Sequence, residues 1–194
     1  MRVTREQAAQ NRERVLDTAA RLFRERGFAG IGVSDLMKSA GLTHGGFYGQ
    51  FESKEDLMAQ ASARALEASL NRWHRLAGRA SANPLSAVTS AYLSSAHRDR
   101  PGDGCLLAAL GAEASREGPA VRRAVTEGTR SYVEMLAGLV PGRSKDTRRE
   151  RALATFASMV GAIVLARAVD DAALSREILQ AVAKSTSDPS APNK

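Results

Sequence analysis

The side chains able to do covalent or metal chemistry are few and widely spaced. His44, His74 and His97 are the three histidines, too scattered to hold a metal, so no metal site is expected. Neither a G-x-G-x-x-G pattern nor a Walker phosphate loop occurs, and spacing suggests no Ser/His/Asp set, so no cofactor and no catalytic residue is assigned. The one thiol, Cys105, follows a Gly-rich loop at a predicted helix start, with Arg98 and Arg100 near in sequence. Such a setting lowers a thiol pKa and favours the reactive thiolate. The competing reading is a small buried hydrophobe, which cysteine usually is. A single Cys also excludes a disulfide framework and a Cys-rich zinc module.

The chain offers a binding device instead. Residues 33–51 read as helix, tight glycine turn, short helix. Val33, Leu36, Met37 and Ala40 share a face, Gly41 tolerates positive φ, and a second, very short helix covers about His44 to Gly49. Leu36, Ala40, Leu42 and Phe47 are placed to pack inward and fix the angle between the two helices. In a helix-turn-helix the first helix braces across the DNA backbone while the second lies in the major groove. Five of the nine aromatics (Phe23, Phe28, Phe47, Tyr48, Phe51) fall within the first 60 residues, so this small domain needs large side chains for a core of its own. Phe47 and Phe51 are read as core, and Arg21 and Arg24 as a solvated face.

Helices must position that device, and helical periodicity dominates the chain. Thr4-x-x-Gln7 and Ser53-x-x-Asp56 are capping boxes, Asn83-Pro84 is a cap followed by proline at the first helical position, and Ser144 caps a long helix. The predicted helices run from Thr4 to Gly27, Ser53 to about Gly78, Asn83 to about His97, Cys105 to about Arg116, Pro119 to Pro141, Ser144 to about Val169, and from Asp171 onward. Residues 185–194 are polar and Pro-containing and read as a disordered tail. With 194 residues, 43% of them apolar, there is material for a real core. The net charge is +7, yet residues 1–60 carry only +1 of it, so a nucleic-acid argument must rest on placement. The longest uncharged apolar-rich run, Ala152 to Ala166, has 15 residues against the roughly 20 a membrane span needs. With no signal-peptide pattern, a cytoplasmic protein that makes no membrane contact is expected.

The run Ala40-Gly41-Leu42-Thr43-His44-Gly45-Gly46-Phe47-Tyr48-Gly49-Gln50-Phe51-Glu52-Ser53-Lys54-Glu55-Asp56-Leu57 resembles the DNA-binding signature of the TetR family of transcriptional regulators. Upstream, Ala19-Ala20-x-Leu22-Phe23-x-x-x-Gly27-Phe28 is similar to that family's first helix. The motif likeness covers roughly residues 12–58, and the rest is alike only in architecture. The resemblance implies an all-α fold with a helix-turn-helix headpiece over 1–52 and a helical effector-binding and dimerisation domain over 53–184. It implies a homodimer that represses from a near-palindromic double-stranded DNA operator until a small-molecule effector enters. It places Thr43, His44, Gly45, Gly46, Tyr48 and Gln50 at positions facing DNA, and Lys54 on a phosphate. A free ammonium at a helix N-terminus suits that role. An arm of Arg2, Arg5, Arg12 and Arg14 is placed to reach phosphates or the minor groove. The chain departs from the family pattern at two points. Gly49-Gln50 stands where the family often has an aromatic or Ala followed by His. Gly32-Val33 replaces a helix-capping Thr, leaving Ser34 as the nearby hydroxyl. Few direct base contacts and a dependence on groove shape are therefore expected.

Beyond residue 60, Trp73, Tyr92, Leu106, Tyr132 and Phe156, with Cys105, are the candidate effector residues, although at helical spacing such side chains equally form ordinary core. Some members of the family sense electrophiles through a Cys in a comparable place, so an electrophile is one candidate signal. The last two helices resemble the family's dimerising pair. Ala157, Gly161, Ala162 and Ala168 permit close approach and Ile163, Leu174 and Ile178 offer apolar surface, unless that face packs inside one protomer. The function expected is a ligand-responsive repressor, not an enzyme. The alternatives are a nonspecific architectural DNA binder and an all-α enzyme with a vestigial headpiece.

Overall fold

Short polar side chains set the helix starts, because the first backbone N–H groups of a helix have no partner within it. Thr4 accepts from the Gln7 N–H, Ser53 from Asp56, Asn83 from Ser86 and Ser144 from Thr147, at 3.1, 3.0, 2.9 and 3.1 Å. The Asp171 carboxylate accepts from both Ala173 and Leu174. The chain, described over residues 4–187 by a computed structural model, is all-α: among those residues there is no strand. Its helices are α1 (Arg5–Arg26), α2 (Val33–Ser39), α3 (Lys54–Arg79), α4 (Pro84–Tyr92), α5 (Ser95–Asp99), α6 (Leu106–Ala114), α7 (Pro119–Ala137), α8 (Lys145–Ala168) and α9 (Ala172–Ser187).

Three local expectations are corrected. The helix predicted from Asn83 to His97 is two, because Ser94 is extended and caps α5 by accepting the His97 N–H, while the His97 ring takes the Tyr92 carbonyl. The short helix after Gly41 is a single 3₁₀ turn, His44–Gly46, followed by an irregular turn, since Gly45, Gly46 and Gly49 supply no helix propensity. Residues 185–187 belong to α9, where Ser185 and Thr186 hydroxyls donate to the Val182 carbonyl; the rest of the predicted tail lies outside the described residues.

The chain divides into two compact units. The first comprises Met1–Glu67 and Pro101–Glu127, the second Ala68–Arg100 and Gly128–Lys194. In the first, Val15, Phe23, Phe28, Leu36, Met37 and Phe47 form the centre of the core, and α6 supplies Leu106 and Leu110. In the second, Trp73 touches the rings of Tyr92, Tyr132 and Phe156, with centroids 5.5, 4.7 and 6.0 Å away. By length and composition α8 is long and apolar enough to cross a membrane, because the 15-residue run sits inside a 24-residue helix. One of its faces, with Ala152, Phe156, Met159 and Ile163, is buried.

A polar knot ties α5, α8 and α9 in the second unit. Arg167 donates to the carbonyls of His97 and Arg98, closing the end of α5. Arg98 donates to Ser175, whose own hydroxyl donates to the Ala166 carbonyl at 2.6 Å. His97 Nδ1–H donates to the Tyr92 carbonyl at 2.6 Å, and the ring is held neutral. Burial pushes its pKa down to about 4, with the charges of Arg167 and Arg72 adding to the effect. The unfolded chain binds the His97 proton near pH 6.5, whereas the folded chain refuses it until about 4. The stability His97 contributes is thus complete above pH 6.5 and is lost as pH falls through that window, by as much as about 3 kcal/mol. Urea titrations at about pH 7 and about pH 4.5 are expected to show His97→Gln losing less stability between the two than the wild type; equal losses contradict the assignment.

Candidate nucleic-acid interface

The headpiece is held by backbone groups that local helix formation leaves over. α1 ends at Gly27, whose φ of 83° suits glycine, and its N–H closes onto the Phe23 carbonyl. The Phe28 N–H then donates to the Glu113 carboxylate of α6 at 2.8 Å, and the Phe28 carbonyl accepts from Lys54 Nζ of α3 at 2.7 Å. A Cβ at Gly27 would lie 3.0 Å from both Glu113 oxygens, so the close approach also needs glycine. Arg24 donates twice to the Gly102 carbonyl, and a side chain at Gly102 would strike the Glu25 carboxylate. Arg24 is therefore a half-buried brace, correcting its reading as solvated, whereas exposed Arg21 pairs with Glu25 at 2.9 Å as a surface residue does.

On this base, Leu36 and Met37 of α2 and its C-cap Ala40 are buried, Gly41 turns the chain at φ 71°, and Phe47 stacks on Phe51 with centroids 5.6 Å apart. The turn so fixed exposes Thr43, His44, Gly45, Tyr48 and Gly49. Tyr48 is 70% exposed, and its ring meets the edges of Phe47 and His44, so its hydroxyl is presented on a supported side chain. Ser34, at the start of α2, is exposed, and Arg5 is exposed on the first turn of α1. Gly46 is half-buried, a Cβ there having Met37 and Gln50 within 4 Å.

Other predicted contacts are engaged within the fold. Gln50 Nε2 donates to the Gly46 carbonyl at 3.0 Å, and its Oε1 is buried without a hydrogen bond. Lys54 is half-buried against the Phe28 carbonyl, keeping two N–H donors beyond that bond. Arg12 is not an arm: it donates to Gln60 of α3 and lies 5.0 Å over the Phe51 ring, because α1 is helical from Arg5 and packs along α3. Arg14 is exposed and donates to Asn11, while Arg2 lies outside the described residues. Arg64 of α3 bridges Glu13 and Asp17 of α1. Sequence reasoning missed Glu113 and Gly102; their partners lie 85 and 78 residues away, and no local pattern marks them.

Of the candidate effector residues, Trp73, Tyr92, Tyr132 and Phe156 are brought together in the second unit, where Tyr132 and Phe156 stack at 5.0 Å. Cys105 and Leu106 belong to the first unit, both 1% exposed. Cys105 is the N-cap of α6 without a side-chain capping bond, and Arg98, near it in sequence, is occupied by Asp99 and Ser175. No group of three or more His, Cys, Asp or Glu among the described residues is placed to hold a metal.

The family model of bacterial regulatory proteins, tetR family, matches residues 15–61, the segment that carries this geometry. The transcriptional repressor NemR of Escherichia coli is 30% identical over 129 residues, 65% of this chain and 65% of its own length. The transcriptional regulator AcrR of Shigella flexneri is 36% identical over 59 residues, 30% of this chain and 27% of its own. The chain thus spans less than two thirds of these curated relatives. The crystal structure of reduced E. coli NemR superposes with a TM-score of 0.76 at 26% identity, covering 91% of this chain and 95% of that one. FadR of Bacillus subtilis, solved with stearoyl-CoA, shares the fold at a TM-score of 0.64 and 20% identity, covering 88% and 97%.

Two substitutions separate surface from brace. Tyr48→Ala is expected to change unfolding free energy by less than about 0.5 kcal/mol. Arg12→Ala, losing the Gln60 bond and the cation over Phe51, is expected to cost about 1–2 kcal/mol. Urea titration followed by circular dichroism checks both, and equal costs contradict the division.

Proposed function

We propose that the chain, whose residues 15–61 match the model of bacterial regulatory proteins of the tetR family, is a member of that family and a cytoplasmic homodimeric repressor that leaves its operator when a small molecule binds. The observation that carries the reading is the recognition turn: Thr43, His44 and Tyr48 stand exposed on a turn whose own packing face, Phe47 with Phe51, is buried. Phosphate contacts would come from Tyr48, Thr43, Ser34, Arg5 and the remaining Lys54 donors, which position the protein on the duplex. His44 would read a base edge. Gln50 would have to exchange its Gly46 bond for a base or phosphate, and its buried Oε1 lowers the cost of that exchange. Gly45, Gly46 and Gly49 bring backbone close to DNA without reading it, so groove shape would supply much of the selectivity. The function is binding, not catalysis.

Dimerisation is assigned to α8 and α9. The exposed large apolar side chains among the described residues are Tyr48, Leu153, Val164, Leu165 and Leu174, and all but the first lie on these two helices. Ala154, Ala157 and Ala168 extend the exposed stripe along α8, with half-buried Gly161 between them. Ala162 and Ile163, expected on this surface, are buried in the protomer core, and Ile178 is half-buried. Trp73, Tyr92, Tyr132 and Phe156 would give a mainly apolar effector its stacking wall. The burial of Cys105 favours a packing role over an electrophile sensor.

In fluorescence-anisotropy titrations at physiological salt, DNA flanking the protein's own gene is expected to bind roughly 10³-fold more tightly than a scrambled duplex. Tyr48→Ala should weaken that binding, and equal salt-dependent binding to both duplexes would instead identify a nonspecific architectural protein. Sedimentation equilibrium is expected to give a dimer that Leu165→Glu converts to monomer, since a charge at an apolar interface must be desolvated; a wild-type monomer would contradict the assigned interface.

A further inference from the structure

The turn between α7 and α8 encloses a cleft of about 660 Å³ that the DNA-binding reading does not use. Ala137, Gly138, Val140 and Pro141 give it an apolar wall, Lys145, Arg148 and Arg149 line it from α8, and Glu134 lines it from α7. Positions 145, 148 and 149 follow i, i+3, i+4 spacing and so share one face of α8. The neighbouring acids, Asp146 and Glu150, fall on the next face around the helix. None of Lys145, Arg148 and Arg149 takes part in a salt bridge or side-chain hydrogen bond among the described residues, so three cations line one cleft against the single carboxylate of Glu134, which pairs with none of them. Concentrating like charge in this way is unfavourable unless an anion offsets it.

The cleft is also built by the chain around it. At Gly142 a Cβ would come within 2.6 Å of Arg148 Cγ and 3.1 Å of its backbone N, so only glycine lets the turn lie so close to the first turns of α8. Arg151 donates to the Pro141 carbonyl at 3.1 Å and fixes the turn from outside. Ser144 caps the helix through the Thr147 N–H. Paired guanidinium groups with an ammonium suit a compact, multiply charged oxyanion, and guanidinium forks bind phosphate oxygens two at a time.

We propose that this cleft binds a di- or triphosphate anion, either an organic ester whose body lies on the Val140–Pro141 wall or inorganic pyrophosphate. Isothermal titration of the full chain with ATP, pyrophosphate and adenosine tests it. ATP and pyrophosphate are expected to bind saturably, one per protomer, with Kd at or below about 1 mM, and adenosine is not. Tighter binding of ATP identifies the organic ester, equal binding the inorganic anion. Arg148→Ala/Arg149→Ala, both exposed positions, should weaken binding at least tenfold with an unchanged circular dichroism melt, while Arg79→Ala, an exposed cation outside the cleft, leaves it unaltered. No saturable binding of either anion, undiminished binding by the double variant, or an equal loss with Arg79→Ala would overturn the assignment.

Discussion

The backbone of Phe28 is gripped on both sides, and the headpiece depends on that grip. Its N–H is held by Glu113 at the end of α6 and its carbonyl by Lys54 at the start of α3. Hydrogen bonds to charged groups are worth about 1.5–3 kcal/mol each, and here two of them meet at one residue whose ring is buried against Phe23. α1, α3 and α6 are thereby pinned within one compact unit. Gly27, with its positive φ and its face against Glu113, is the residue that lets the chain reach this position.

The grip explains why Lys54 is half-buried and why α6, far along the sequence, belongs with the N-terminal helices. α3 begins three residues after Phe51, so fixing its first residue fixes the end of the recognition turn. Arg12 over Phe51 and Arg64 between Glu13 and Asp17 hold α1 against the same helix further along. Through Glu113, Phe28 and Lys54, α6 is joined to the start of α3, three residues beyond the end of the turn that exposes Tyr48.

Much of this was legible in the sequence because the signals are local. Thr4, Ser53, Asn83 and Ser144 cap the helices they were expected to cap, and Gly41 turns the chain between α2 and the recognition segment. The burial of Phe47 and Phe51 followed from their spacing. Where reading failed, a competing contact decided the outcome. A helical pattern ran through Leu93 and Ser94, yet the Ser94 hydroxyl and the His97 ring offer backbone groups a better partner outside the helix. Three glycines among six residues leave the recognition segment as a 3₁₀ turn. Arg12, Arg24 and Gln50 looked like surface contacts because nothing nearby marks Gln60, Gly102 or a folded-back amide as their partners. Glu113 carried no signal, its partner lying 85 residues away.

Amide hydrogen exchange on the wild type and on Glu113→Gln tests most directly whether the Phe28 grip sets the recognition turn. The variant keeps the size of the side chain and removes its charge. If the account holds, the Phe28 amide exchanges at least about tenfold faster in the variant, and residues 44–51 accelerate with it as one opening unit. Faster exchange at Phe28 with residues 44–51 unchanged would show that the turn is held independently and would contradict the account.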